Sequence, residues 1–252
     1  NRRSRGLGDV YKRQDWLSAE FMDSGWDLKL LLKTIMLSEA YQRSSVIDSP
    51  AVFERDPANR LLARGTRYRL PSWMIRDQAL AAAGLRNAKI GGPSFQGYQP
   101  AGIWEEATFG KKKYAQTKGD DLYRRSLYVY WRRIVGPTMF FDASKRQICE
   151  VNTALTNTPM HALSTLNDVT YVEAARHLAQ RALLAAEEDD RRLEYASLRL
   201  LARVPTAEES EIWKRSLDRA RKTFEAVPAD AEALLKTGDS QRDEKLMSLI
   251  HI

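Results

Sequence analysis

The stretch Asp142–Gln180, DASKRQICEVNTALTNTPMHALSTLNDVTYVEAARHLAQ, holds the only cysteine, two of the three histidines and a proline-opened helical run. Its second half decides the fold class. Pro159 fits the first turn of a helix, where a missing amide hydrogen costs nothing. Asp168 then N-caps the next helix by accepting orphan amide hydrogens at its start. That helix is expected to present Val172, Ala175, Ala179, Leu183 and Ala186 as its apolar face. Thr156, Asn157 and Thr158 read as turn and cap residues, whose short polar side chains hold amides at the helix start.

Helical signals continue on both sides. Asp15 to Asp23 reads as a helix with apolar contacts from Trp16, Leu17, Ala19 and Phe21, broken by Ser24-Gly25. Asp27 caps LKLLLKTIMLSEAYQ (28–42), which is apolar on several sides and therefore expected to be well buried. Ser72 is the expected N-cap of WMIRDQALAAAGLR (73–86), whose alanine run favours helix and close packing. Thr206 and Glu209 form a capping-box pattern. Behind them Trp213, Leu217, Ala220, Phe224 and Val227 make an amphipathic stripe. Between these helices, residues 87–119 are rich in glycine, proline and aromatics, and read as a long irregular segment. Leu127 to Val135, LYVYWRRIV, has the β-branched and aromatic content of a short strand. The expected fold is mainly α, a bundle-like helical domain with a long irregular insertion and at most a short strand or hairpin.

Composition removes several functions. A single cysteine forbids an internal disulfide and the paired-cysteine haem attachment motif, and leaves too few thiolates for structural zinc. No cofactor is expected in this chain. No run of 18 apolar residues exists, so no membrane span is expected. The net charge of +7 suggests an acidic partner until the ends are inspected. Residues 1–14, NRRSRGLGDVYKRQ, resemble translated sequencing-adapter read-through, and Met247 to Ile252 resemble the same kind of scar. The first segment sets Arg2, Arg3, Arg5, Lys12 and Arg13 against Asp9; without both ends the charge falls to +3. Both are expected to be non-native, flanking a single helical domain over 15–246, and nucleic acid is not an expected partner.

Several residues carry candidate chemistry. Cys149, His161 and Asp168, with Asn157 nearby, are the types a nucleophilic triad needs, but their spacing has no mechanistic signature. The favoured reading of Cys149 is a buried, inert thiol packing as a small hydrophobe. His161 and His177 are not at the i, i+4 spacing that places two histidines on one helical face, so no metal site is expected. His177 is expected to be half-exposed. Gly91 to Ser94, GGPS, lacks the lysine ending of a phosphate cradle and reads as a tight turn. Arg124, Arg125, Arg132 and Arg133 flank Tyr123, Tyr128, Tyr130 and Trp131, while Tyr98, Trp104, Phe109 and Tyr114 extend the aromatic supply. Such groups either bind a sugar or anionic polymer from a loop or anchor the insertion to the core. The candidate binding residues are Arg76, Asp77, Tyr98, Trp104, Arg124, Arg125, Trp131 and Asn157. Arg76 beside Asp77 fits an internal ion pair as well. Asp77, Glu105, Glu106 and Asp142 supply carboxylates whose separation no sequence spacing establishes.

The order of several segments resembles one family. They are WLSAEFMDSGWDLK (16–29), IMLSEAYQRSS (35–45), NRLLAR (59–64), IRDQAL (75–80), GGPSFQGYQPAGIWEE (91–106), YRRSLYVYWRR (123–133), TNTPMHALSTLNDVTYVEAAR (156–176) and RLLARVPTAEE (199–209). Together they resemble family 1553 of the domains of unknown function, found in planctomycetes and verrucomicrobia beside c-type cytochrome domains. The resemblance implies the C-terminal domain of a larger, exported cell-envelope or periplasmic protein. Its partners would be an upstream cytochrome-like region, which would hold any haem, and a second uncharacterised domain of the same parent chain. Neighbouring sulfatase-like proteins suggest a place in polysaccharide use. The implied function is a helical domain binding a partner domain or extracellular polysaccharide; the alternative is an enzyme acting on sulfated or complex polysaccharide. The chain is expected to be a piece of that parent, with further segments before Asp15 and after Glu244. Where the family carries arginines after the cysteine and before Thr-Asn-Thr-Pro, this chain has Asn152 and Leu155.

Overall fold

The computed structural model describes residues 2–46, 50–132, 134–142 and 156–243. Among the described residues it forms eleven α-helices and two short 3-10 turns, with no strand, as the mainly α expectation requires. The chain divides into two compact units, Asn1–Tyr68 and Arg69–Ile252.

The first unit contains α1 (Arg2–Asp23), α2 (Leu28–Leu37), α3 (Glu39–Gln42) and α4 (Pro50–Arg55). The Ser24-Gly25 break stands as expected, with Gly25 in the left-handed region at φ 70°. Asp27 caps α2, its Oδ1 accepting from the amides of Lys29 at 2.9 Å and Leu30 at 3.0 Å. The expected single helix over 28–42 is interrupted at Ser38, whose ψ of 143° is extended. Ser38 ends α2 and opens α3, accepting from the Tyr41 amide through its hydroxyl. The expected burial of α2 is not found: it has no buried residue, and Leu28, Leu30, Leu32, Ile35, Met36 and Leu37 are all exposed. A helix apolar all round needs cover on every side, and α3 and α4 are short.

The second unit is built around α8 (Val169–Ala185), which packs on α5 (Ser72–Ala83), α7 (Pro159–Asn167) and α9 (Asp189–Leu201). Helices α6 (Ile103–Ala107), α10 (Ala207–Ala226) and α11 (Pro228–Leu235) complete it. Asp168 caps α8 as expected, accepting from the Thr170 amide at 2.9 Å. The capping box of α10 is present, with Glu209 N to Thr206 Oγ1 at 3.2 Å and Thr206 N to Glu209 Oε2 at 2.9 Å. Ser72 does not cap α5. Its amide and hydroxyl turn instead to the Asp142 carboxylate.

The buried face of α8 corrects the periodic reading. Tyr171, Ala174, Leu178 and Ala182 are buried, whereas Ala175 and Ala179 are exposed. Glu173 and Arg176 lie on the buried side, and two charged residues there conceal the inward stripe from any hydropathy pattern. The α10 stripe stands better, with Trp213, Leu217 and Phe224 half-buried. His177 is half-buried as expected, and its Nδ1 lies 2.7 Å from the Ala83 carbonyl oxygen. Arg181 donates to Ala82 O at 3.0 Å, so α8 satisfies two of the carbonyls left open where Gly84 stops α5.

The strand expected over 127–135 does not form. Residues Gly119–Tyr123 and Ser126–Tyr128 are 3-10 turns, and among the described residues pairing is limited to isolated bridges, Asn87 with Arg124 and Phe95 with Val129. Pro93 cannot donate, and the left-handed pair Gly91-Gly92 curves the chain, so Phe95 pairs alone. Phe95 from the 87–119 segment, with Leu122, Tyr123, Met139 and Phe140 from the stretch after it, joins Leu80 and Tyr171 in one hydrophobic cluster. The insertion is thus part of the core.

Candidate functional site

At the centre of the second unit a single carboxylate gathers groups from three parts of the chain. Glu173 on α8 is fully buried. Its Oε2 accepts from the Tyr98 hydroxyl and its Oε1 from the Tyr123 hydroxyl, both at 2.8 Å. The Ser240 amide adds a third bond to Oε1 at 2.6 Å. Tyr98 in turn accepts from the Asp239 amide at 2.8 Å. Gly238, at φ 85°, lets the backbone pass against the Glu173 carboxyl, where a Cβ would collide with it. Arg176, one turn on, donates through Nη2 to the carbonyl and hydroxyl of Ser240 and lies 4.0 Å from Glu173. Burial lowers the Arg176 pKa, against the pull of Glu173. Burial, then the neighbouring carboxylate, raises the pKa of both tyrosines.

A second knot lies beside it. Arg76 on α5 is 2% exposed and donates to Arg124 O at 2.8 Å, Leu122 O at 3.1 Å and Ser126 Oγ at 3.2 Å. Its guanidinium also sits 4.9 Å from the Phe95 ring centroid. Burial brings its pKa down to about 10, opposed by Asp77. Asp77 accepts from Ser126 N at 2.8 Å and Oγ at 2.7 Å, so the expected Arg76–Asp77 pair, at 3.5 Å, grips the 124–126 backbone. Arg124, 1% exposed, donates to Gly91 O and Pro93 O and stacks on Tyr128 at 3.9 Å. The GGPS segment is the expected turn, with an arginine holding its carbonyls.

These facts sort the candidate residues. Arg76, Asp77, Tyr98 and Arg124 are brought together as internal ties, with their polar atoms facing protein. Arg76, Tyr98, Tyr123 and Glu173 line one interior gap that has no room for a water molecule. Trp104 is 3% exposed, stacked on Tyr114 at 5.1 Å and tilted against Tyr130 at 5.8 Å. Trp131 is half-buried against Phe140. A surface role for Arg76, Trp104 and Arg124 is therefore corrected: their rings and guanidinium groups anchor the insertion. Arg125 and Asn157 are exposed.

Of the triad candidates, Asp168 and His161 are described, and they do not converge. Asp168 uses Oδ1 on Thr170 N and Oδ2 on Thr138 Oγ1, at 2.9 and 2.7 Å. His161, 9% exposed, lies tilted against Phe141 at 4.8 Å and meets Arg69 Nη1 at 2.8 Å through Nδ1. No hydrogen bond joins His161 to Asp168 among the described residues. Cys149, with Asn152 and Leu155, lies outside the described residues. Among those residues no group of three His, Cys, Asp or Glu side chains is placed to hold a metal. No described helix is long and apolar enough to cross a membrane.

Sequence reasoning missed Glu173, Arg176, Arg69 and the Gly238–Ser240 turn. The available signal was Glu173 and Arg176 at a three-residue spacing within an alanine-rich helix, where exposed charges and buried ones look alike. No curated protein and no solved structure matches the chain. Residues 14–217 match PSD1, a protein family of unknown function (DUF1553), and since that match spans most of the 252 residues the chain belongs to this family.

Proposed function

We propose that this chain is a helical binding domain whose ligand is another protein domain, working within an exported cell-envelope protein beside a cytochrome-like domain. Helix α2 carries the reading. Within its own unit it buries none of Leu28, Leu30, Leu32, Ile35, Met36 and Leu37. Leu28, Leu32, Ile35 and Met36 share one face of the helix, and an exposed apolar face of this kind marks an interaction site. Its cover must be extensive and apolar, which a protein domain supplies and a polysaccharide does not.

The polysaccharide reading has less support, because the aromatic rings a sugar would stack on are turned inward at Trp104 and half-covered at Trp131. The enzyme reading has less again, since His161 and Asp168 bond to different partners and the Glu173 gap has no room for a water molecule.

The test uses the chain and a separately produced cytochrome-like domain from the parent protein, mixed and followed by calorimetry. Leu32→Glu with Met36→Glu places two charges one turn apart on α2. Binding by the unaltered chain that the double variant loses supports the reading. Equal binding by both, or none by either, overturns it.

A further inference from the structure

The turn after α6 has a build that neither the core nor the α2 surface requires. Phe109 is 92% exposed and sits in the left-handed region at φ 51°. That backbone region is disfavoured for an aromatic residue, so the turn holds the ring outward against local strain. Lys111, Lys112 and Lys113 follow after Gly110; all three are exposed and have no ion pair among the described residues.

The tip is firmly held. Thr108 Oγ1 donates to Trp104 O at 2.6 Å and accepts from Lys112 N at 3.1 Å. Gly110 N donates to Glu105 O at 2.8 Å, and Lys111 N to Thr108 O at 3.1 Å. Trp104, the root of this network, is buried under Tyr114 and Tyr130. A strained, anchored turn that displays one aromatic ring ahead of three cations combines an apolar probe with an electrostatic one.

We propose that Thr108–Lys113 is a membrane-contact tip that places Phe109 among the acyl chains of an anionic lipid surface while Lys111, Lys112 and Lys113 meet the headgroups. Charge complementarity selects the anionic surface, since each lysine near such a leaflet adds attraction. The ring selects lipid over an anionic polymer. At 92% exposure Phe109 has almost no protein beside it, so a sugar ring would touch one face and find no wall to complete a site. A bilayer surrounds it on all sides. The inference is independent of the α2 surface, which lies in the other unit.

The test is sedimentation of the chain with phosphatidylcholine vesicles, with and without phosphatidylglycerol, beside a dextran sulfate titration. Binding is expected only with phosphatidylglycerol and is expected to weaken as salt rises. Phe109→Ala should weaken it about tenfold, from the lost apolar transfer of the ring. Lys111→Ala, Lys112→Ala and Lys113→Ala together should weaken it about a hundredfold. All four positions are exposed, and circular dichroism checks that the variants fold. Vesicle binding unchanged in both variants overturns the proposal, as does the absence of vesicle binding. Binding to dextran sulfate alone, lost in the same variants, overturns it in favour of an anionic polymer.

Discussion

The Glu173 carboxylate and the Tyr98 hydroxyl meet at 2.8 Å across 75 residues of sequence. With Tyr123 and the Ser240 amide on the same carboxylate, this contact ties α8, the irregular segment and the 237–243 stretch into one body. Glu173→Ala leaves two phenol hydroxyls and an amide without their acceptor, and Arg176 without its neighbouring carboxylate. Breaking a buried charge cluster on one side costs about 3–5 kcal/mol. Urea unfolding should show that loss, with Glu173→Gln costing less because its amide oxygen still accepts.

Arg76 makes a separate claim on the stretch that follows the irregular segment. Arg76→Met removes donors from Leu122 O, Arg124 O and Ser126 Oγ, all in the interior. Leaving buried carbonyls unsatisfied costs about 1–3 kcal/mol each, so destabilisation of about 3 kcal/mol is expected. Hydrogen exchange should localise the damage to 119–128. Uniform protection loss across the unit, or none, would contradict the role assigned to Arg76.

The tyrosines predict behaviour in alkali. Burial first, and then nearby carboxylates, raise Tyr98, Tyr123 and Tyr171 above the usual value of 10, and Tyr114 rises to about 12. For a group whose folded pKa is raised, the stabilisation is complete below the unfolded pKa and is lost as pH climbs through the folded one. Stability should therefore hold up to about pH 10 and fall above it. Phenolate absorbance should appear for these residues together with unfolding. Ionisation of all ten tyrosines near pH 10, before any loss of helical signal, would refute this.

Local signals were legible in the sequence and distant ones were not. Asp27, Asp168 and the Thr206–Glu209 box bond to amides two or three residues away, so spacing alone announces them. The α10 stripe is readable for a similar reason, because its exposed side is strongly charged. On α8 the inward side includes Glu173 and Arg176, whose partners Tyr98, Tyr123 and Ser240 are 50 residues or more away. Nothing in their neighbourhood distinguishes them from solvated charges. The supposed strand at 127–135 misled for a different reason. Its aromatic and β-branched residues suit any half-buried surface, and here 3-10 turns held by Arg76 and Asp77 supply that surface.

Gly238 offers the sharpest steric test. Its φ of 85° is strained for any residue with a Cβ, and that Cβ would meet the Glu173 carboxyl. Gly238→Ala must push the 237–243 stretch away or displace Glu173 from Tyr98 and Tyr123. A loss of at least about 2 kcal/mol is expected, combining left-handed strain with the overpacked contact. The double variant Gly238→Ala with Glu173→Ala should lose less than the two single losses added, since the clash needs both groups. Strict additivity in urea unfolding would show that the glycine answers only to backbone conformation.

Acid titration reaches a different part of the molecule. Glu209 closes the α10 capping box and holds Arg203 with two bonds at 2.7 Å. The Arg203 hydrogen bonds, then the Thr206 amide, pull its pKa from 4.5 down to about 2. A carboxyl with a depressed folded pKa stabilises fully above its unfolded value and loses that contribution as pH falls through the folded one. The α10 N-terminus should therefore stay closed at neutral pH and begin to weaken below about pH 4.5, opening by about pH 2. Amide exchange at Glu209 and Ser210 reads it directly, because their hydrogens bond to Thr206 Oγ1 and Thr206 O. Glu209→Gln should exchange faster at neutral pH and lose the acid dependence. An unchanged pH profile in that variant would assign the acid sensitivity of α10 to some group other than Glu209.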